Sequence, residues 1–76
     1  MKLWLPIPTP FAHIQMWGCV RGNWQYAIGY NQQFDHWTAS VKRWREPEGF
    51  IQLGFDHPTR DAAEAAVDKH YKGTLQ

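Results

Sequence analysis

Trp24, Tyr26, Ile28 and Tyr30 alternate with Gln25, Ala27, Gly29 and Asn31. Successive side chains of a strand point to opposite faces, so this period of two predicts a strand with one heavy face and one light face. A single strand cannot bury its heavy face alone, and the chain has only 76 residues in which to find the cover. The flanking segments therefore have to supply further strands, a helix, or both.

They carry the signals for both. His13 to Arg21 reads as a first strand, and Arg21-Gly22-Asn23 is turn chemistry, because Gly and Asn tolerate positive φ. Asn31 to Asp35 is a polar connection around Phe34. His36 to Arg45 reads as a third strand, with Trp37, Ala39 and Val41 on one side and Thr38, Ser40, Lys42 and Trp44 on the other. Glu46-Pro47-Glu48-Gly49 predicts a turn, and Phe50 to Phe55 a fourth strand with Ile51, Leu53 and Phe55 on one face. Thr59 suits a helix N-cap, Asp61 suits the first turn, and Gly73 suits the residue after the last. Ala62, Ala63, Ala66, Val67 and His70 share one side at helical spacing. That side is mostly alanine, so it can lie close to a sheet that supplies the bulk from Trp24, Tyr26, Ile28, Trp37, Val41, Leu53 and Phe55. The expected fold is α+β: an antiparallel four-stranded sheet with one C-terminal helix on one face.

Pro6, Pro8 and Pro10 interrupt the opening segment, which predicts an extended arm over residues 1–12. Residues 13–73 then form a single domain and 74–76 a tail. The same prolines break what would be a signal-peptide apolar run, and no stretch approaches the ~20 apolar residues of a membrane span. Cys19 is the sole cysteine, so no internal disulfide can form. Together these features predict a cytoplasmic protein.

The aromatic count bears on function. Five Trp, three Tyr and four Phe exceed what one small core needs, so some should face a partner. With the helix on one side, the other side carries Gln25, Ala27, Lys42, Trp44, Phe50 and Gln52. If Ile14, Met16 and Val20 point inward, it also carries Trp17, Cys19 and Arg21. The candidate partner-binding residues are Trp17, Arg21, Lys42, Arg43, Trp44, Arg45 and Phe50.

Little in the chain suggests catalysis. It has no phosphate-cradling glycine loop, zinc motif or nucleophile elbow, and no metal or cofactor is expected. Phe34-Asp35-His36-Trp37-Thr38 is echoed by Phe55-Asp56-His57-Pro58-Thr59, a pattern that turn and cap chemistry accounts for. Cys19 inside a strand reads as a buried thiol. The formal net charge is +1, which disfavours a sequence-blind, strongly basic nucleic-acid binder.

From Trp37-Thr38-Ala39-Ser40-Val41 through Gly49, Leu53-Gly54-Phe55-Asp56, Thr59, Ala62-Ala63, Ala65-Ala66 and Asp68, the chain (37–71) resembles DNA-binding domains of the ethylene-response-factor and phage-integrase-arm type. The resemblance implies a sheet that reads the major groove on the side away from the helix. Arg21, Lys42, Arg43, Trp44 and Arg45 are the groove readers it would use. Two expectations follow. The first is a non-enzymatic module, monomer or homodimer, that binds and occludes a protein partner. Phage accessory inhibitors and anti-CRISPR proteins are one class that such size, sparse chemistry and surplus aromatics permit. The alternative is a duplex-DNA-binding module using the same face.

Overall fold

The computed structural model describes residues 4–45 and 49–74. Its strands are β1 (Leu5–Ile7), β2 (Ile14–Arg21), β3 (Trp24–Asn31), β4 (His36–Arg43) and β5 (Ile51–Gln52), and its helix is α1 (Arg60–Thr74). The strands form one antiparallel sheet in chain order, β1-β2-β3-β4-β5. There are five strands rather than the expected four. The extra one comes from the segment read as an arm, which pairs Leu5 with Gly18, Pro6 with Trp17 and Ile7 with Met16. Pro6 is tolerated there because β1 is an edge strand, where a missing N–H breaks no ladder on the outer side.

The turn signal at Gly22 and the cap signal at Thr59 take their expected forms. Gly22, at φ 61°, fills the first central position of the two-residue β2–β3 turn, where a left-handed residue matches the strands' twist. Asp35 closes the β3–β4 loop at φ 53°. The Thr59 hydroxyl accepts a hydrogen bond from the Ala62 N–H (3.1 Å), which caps α1. The helix runs through Gly73 to Thr74 rather than stopping before the glycine. The turn expected at Glu46–Gly49 lies, Gly49 apart, outside the described residues, as do Met1–Leu3, Leu75 and Gln76.

The fourth predicted strand is cut short. Only Ile51 and Gln52 form a regular ladder with β4. Ala39 then meets two residues, accepting from the Leu53 N–H (2.7 Å) and donating to the Gly54 carbonyl (2.9 Å). Pairing resumes at Trp37 and His57. Two residues facing one is a bulge. Here it throws Phe55 outward, so Phe55 is exposed and not part of the core as expected.

The core lies between the sheet and α1. Tyr26, Ile28, Ala39 and Val41 from the central strands, with Cys19, meet Ala63 and Val67 from the helix. Trp4, Trp17, Trp24, Trp37, Leu53, Ala66 and Tyr71 pack around them. The register puts Trp17 opposite Ile28 and Cys19 opposite Tyr26, on the helix side.

Gly54 sits at φ 127°, and a Cβ added there would run into the His57 ring, whose Nε2 lies 3.2 Å from the Leu53 carbonyl oxygen. Gly54→Ala should therefore destabilise the fold by about 2 kcal/mol. Gly49→Ala, whose Cβ meets nothing, should change stability by under about 0.5 kcal/mol. Urea unfolding of the two variants, compared through their midpoints, checks the difference.

Candidate interaction surface

Because α1 covers one side of the sheet, the residues of opposite parity form the other. Along the strands these are Leu5 and Ile7; Ile14, Met16, Gly18 and Val20; Gln25, Ala27, Gly29 and Asn31; His36, Thr38, Ser40 and Lys42; and Gln52. Small residues run across its middle. Gly18 faces Ala27, Ala27 faces Ser40, and Gly29 faces Thr38. Aliphatic chains from the β1 side lie over them: Ile7 Cδ1 sits 2.8 Å from where a Gly18 Cβ would be, and Met16 Cγ lies 3.5 Å from that of Gly29. The Ser40 and Thr38 hydroxyls turn toward the Ala27 and Gly29 carbonyls, each at 3.5 Å, the long limit for a hydrogen bond. The result is a mixed face, aliphatic over β1 and β2 and largely polar over β3 to β5, where Gln25, Asn31, His36, Thr38, Ser40, Lys42 and Gln52 lie, with Ala27, Gly29 and Ser40 buried at its middle. Among its described strand residues, Lys42 is the only Lys, Arg, Asp or Glu. Val20 is 49% exposed and Phe50, beside Lys42, is 40% exposed.

Three of the residues expected on this face, Trp17, Cys19 and Arg21, lie on the other side. Ile14, Met16 and Val20 point away from α1, so Trp17 and Arg21 point toward it. The Trp17 ring leans across β3 to stack on Trp37, with centroids 5.7 Å apart, and the Arg60 guanidinium lies over it at 4.8 Å. Arg60 also pairs with Glu64 (3.0 Å), whose other oxygen accepts the Trp4 indole N–H (3.0 Å). That chain of contacts joins β1, β2 and α1. Arg21 pairs with Asp68 (2.7 Å) and covers the Tyr71 ring at 4.2 Å. The helix side takes four of the five tryptophans; Trp44, 45% exposed, is the exception.

Six of the seven candidate residues do gather, at one end of the molecule. Arg21 ends β2 and faces Trp24, which faces Arg43 at the end of β4. Lys42 lies over the Phe50 ring at 5.6 Å, and Arg43 over Trp24 at 5.5 Å. The Trp44 N–H donates to the Asn23 carbonyl (2.8 Å), and Arg45 follows at φ 72°. This is the hairpin end, where β2 turns into β3. The six wrap around it instead of lining one face, because neighbouring strand residues point to opposite sides. Only Trp17 lies elsewhere.

The Phe-Asp-His segments also meet, through the Trp37–His57 bridge, at the opposite end. Two of their side chains make hydrogen-bond contacts within the fold. Asp35 accepts the Tyr30 hydroxyl (2.8 Å) and His57 contacts the Leu53 carbonyl. No group of three potential metal ligands occurs among the described residues. Cys19 is buried. His70, expected on the sheet-facing side of the helix, is half-buried there: its Nδ1 lies 2.9 Å from the Tyr26 hydroxyl, and its ring meets Trp24 edge-on at 4.9 Å. Beside it, a shallow groove of about 570 Å³ runs between β5 and α1, lined by Leu53, Ala66, Lys69, His70, Gly73 and Thr74. No described helix is long and apolar enough to cross a membrane.

Comparison with protein-family models, curated proteins and solved structures finds no match.

Burial pushes the Tyr26 phenol above its ordinary value of 10.0; Arg21 opposes the shift, and Cys19 and Tyr71 add to it. The Tyr30 phenol is also raised, first by its hydrogen bond to Asp35. A folded-state value above the unfolded one means the native protein holds the proton longer. The stabilisation is therefore complete below about pH 10 and is lost as pH climbs through the raised values. Tyr26→Phe should lower stability near neutrality by about 1 kcal/mol, through the lost bond to His70. It should also flatten the alkaline fall that wild type shows above about pH 10. Urea midpoints measured from about pH 8 to 11.5 test both effects.

Proposed function

We propose that this protein is a non-enzymatic binding module whose helix-free sheet face docks a larger protein partner, the mode of action of a small inhibitor or regulator that works by occlusion. One observation carries the reading. The β1–β2 part of the face is aliphatic, with Leu5 and Val20 exposed, the Thr38 and Ser40 hydroxyls are turned back on β3, and the face holds one charged strand residue among those described. Contiguous apolar surface of this kind on a small domain is typical of protein–protein contact. Phe50 and Trp44 border it at the hairpin end, where aromatic anchors would lie at the edge of the contact. A role like that of phage accessory or anti-CRISPR proteins is one form of this reading, and it rests on size and surface alone.

A duplex-DNA module on the same face is the weaker reading. Affinity for duplex grows with the number of phosphates neutralised, and this face offers Lys42 for the purpose. Arg21 is tied to Asp68 on the helix side, and Arg43 lies over Trp24 there.

One substitution separates the two. Val20→Arg puts a cation into the exposed aliphatic part of the face. Docking of an apolar protein surface should weaken by about tenfold or more, seen as loss of partners captured on the immobilised protein from nuclease-treated lysate. Duplex binding would instead strengthen and grow more salt-dependent. Unchanged capture by the variant would remove this face from the binding site.

A further inference from the structure

The net charge of +1 conceals a polarised molecule. Asp35, Asp56 and Asp61 lie at the end where β4 and α1 begin, and there Arg60 and Glu64 pair with each other. Lys42, Arg43 and Arg45 lie at the hairpin end. Lys69 and Lys72 join them, because α1 runs toward that end and brings Tyr71 against Gly22. Arg21 and Asp68 offset one another. Among the described residues, Arg43, Arg45, Lys69 and Lys72 have no carboxylate partner. Glu46 and Glu48, which follow Arg45 in the sequence, are fewer than these four cations.

The two ends do not neutralise each other at a distance. From His36 to Arg43 is seven strand rises, about 23 Å, against a screening length of about 8 Å at physiological salt. An approaching molecule meets one end or the other. Arg43 lies over an indole, an arrangement that holds its guanidinium in place, and Trp44 stands exposed between Arg43 and Arg45.

We infer that the hairpin end is a docking point for an acidic segment of the protein partner. The class of partner rests on the protein-binding reading above; the charge of the segment rests on this distribution. A peptide is favoured over a nucleic-acid backbone by how the cations diverge. Lys42 lies on the helix-free side and Arg43 on the helix side, with Lys69 and Lys72 on α1. They surround a blunt end and do not line a groove along which successive phosphates would track. The end also continues into the helix-free face through Lys42 and Phe50, so one protein surface can engage both. A second copy of this chain is disfavoured as occupant of the same end, because it would bring like charges together.

Amide chemical-shift mapping with decaglutamate and, separately, a short DNA duplex tests the inference. Decaglutamate should shift residues 42–45 and 69–72 and leave Asp35, Asp56 and Asp61 unmoved. Arg43→Glu with Arg45→Glu should weaken that binding by about tenfold or more, and raised salt should abolish it. Asp61→Lys, at the other end, should leave the mapped site unchanged. Val20→Arg should also spare decaglutamate binding, so failure of the face and failure of the end are read separately. Absence of shifts, shifts spread over both ends, or tighter binding of the duplex at the hairpin end would each overturn the inference.

Discussion

The fold depends on how closely an alanine-rich helix can approach the middle of the sheet. Ala63 and Val67 are fully buried against Tyr26, Ile28, Ala39 and Val41. Burying each of the larger side chains contributes about 1.5–3 kcal/mol relative to leaving it exposed. In a chain this small, few other places exist for such burial. Where the helix leaves the sheet's centre, its small side chains leave room, and aromatic rings fill it: Trp17 and Trp37 toward one end, Trp24 and His70 toward the other. The abundance of indoles follows from the smallness of the helix face.

The same packing recruits the arginines. Arg60 lies over Trp17, Arg21 over Tyr71 and Arg43 over Trp24. Each guanidinium shields a ring edge or face that would otherwise meet water, a contact worth about 0.5–1 kcal/mol at exposed sites. Arg21 also reaches Asp68, which ties β2 to α1, while Arg60 pairs with Glu64 within the helix. Side chains that suit phosphate recognition in type are therefore partly occupied in holding helix to sheet. The proposed binding surface is built from what the core did not take: an aliphatic, small-residue region of the sheet face, and cations collected where strand ends and helix end converge.

Local physics made much of the architecture legible in the sequence. The alternation from Trp24 to Asn31, the Gly22 turn, the Thr59 cap and the Ala62–Val67 face depend on neighbours a few residues away, and all reappear in the structure. Lys42, expected on the helix-free side, lies there; its contact with the Phe50 ring, eight residues on, comes from the chain's return beside β4.

What the sequence left open are the features that depend on distant partners. β2 has apolar residues at both parities, Ile14, Met16 and Val20 against Trp17 and Cys19, so periodicity alone cannot orient it; pairing of Trp17 with Ile28 and Cys19 with Tyr26 does. A segment punctuated by Pro6 and Pro8 is extended whether or not it joins a sheet, and only the ladder to Met16, Trp17 and Gly18 makes it a strand. Composition sums charges without regard to position. The end of the molecule on which each charge falls depends on strand direction and helix direction together. Extended and helical segments, turns and the cap were thus determined by sequence, because a few adjacent residues suffice to specify them. The orientation of β2, the fifth strand and the separation of charge were decided by tertiary structure, because each is a relation between segments that pairing and packing bring together.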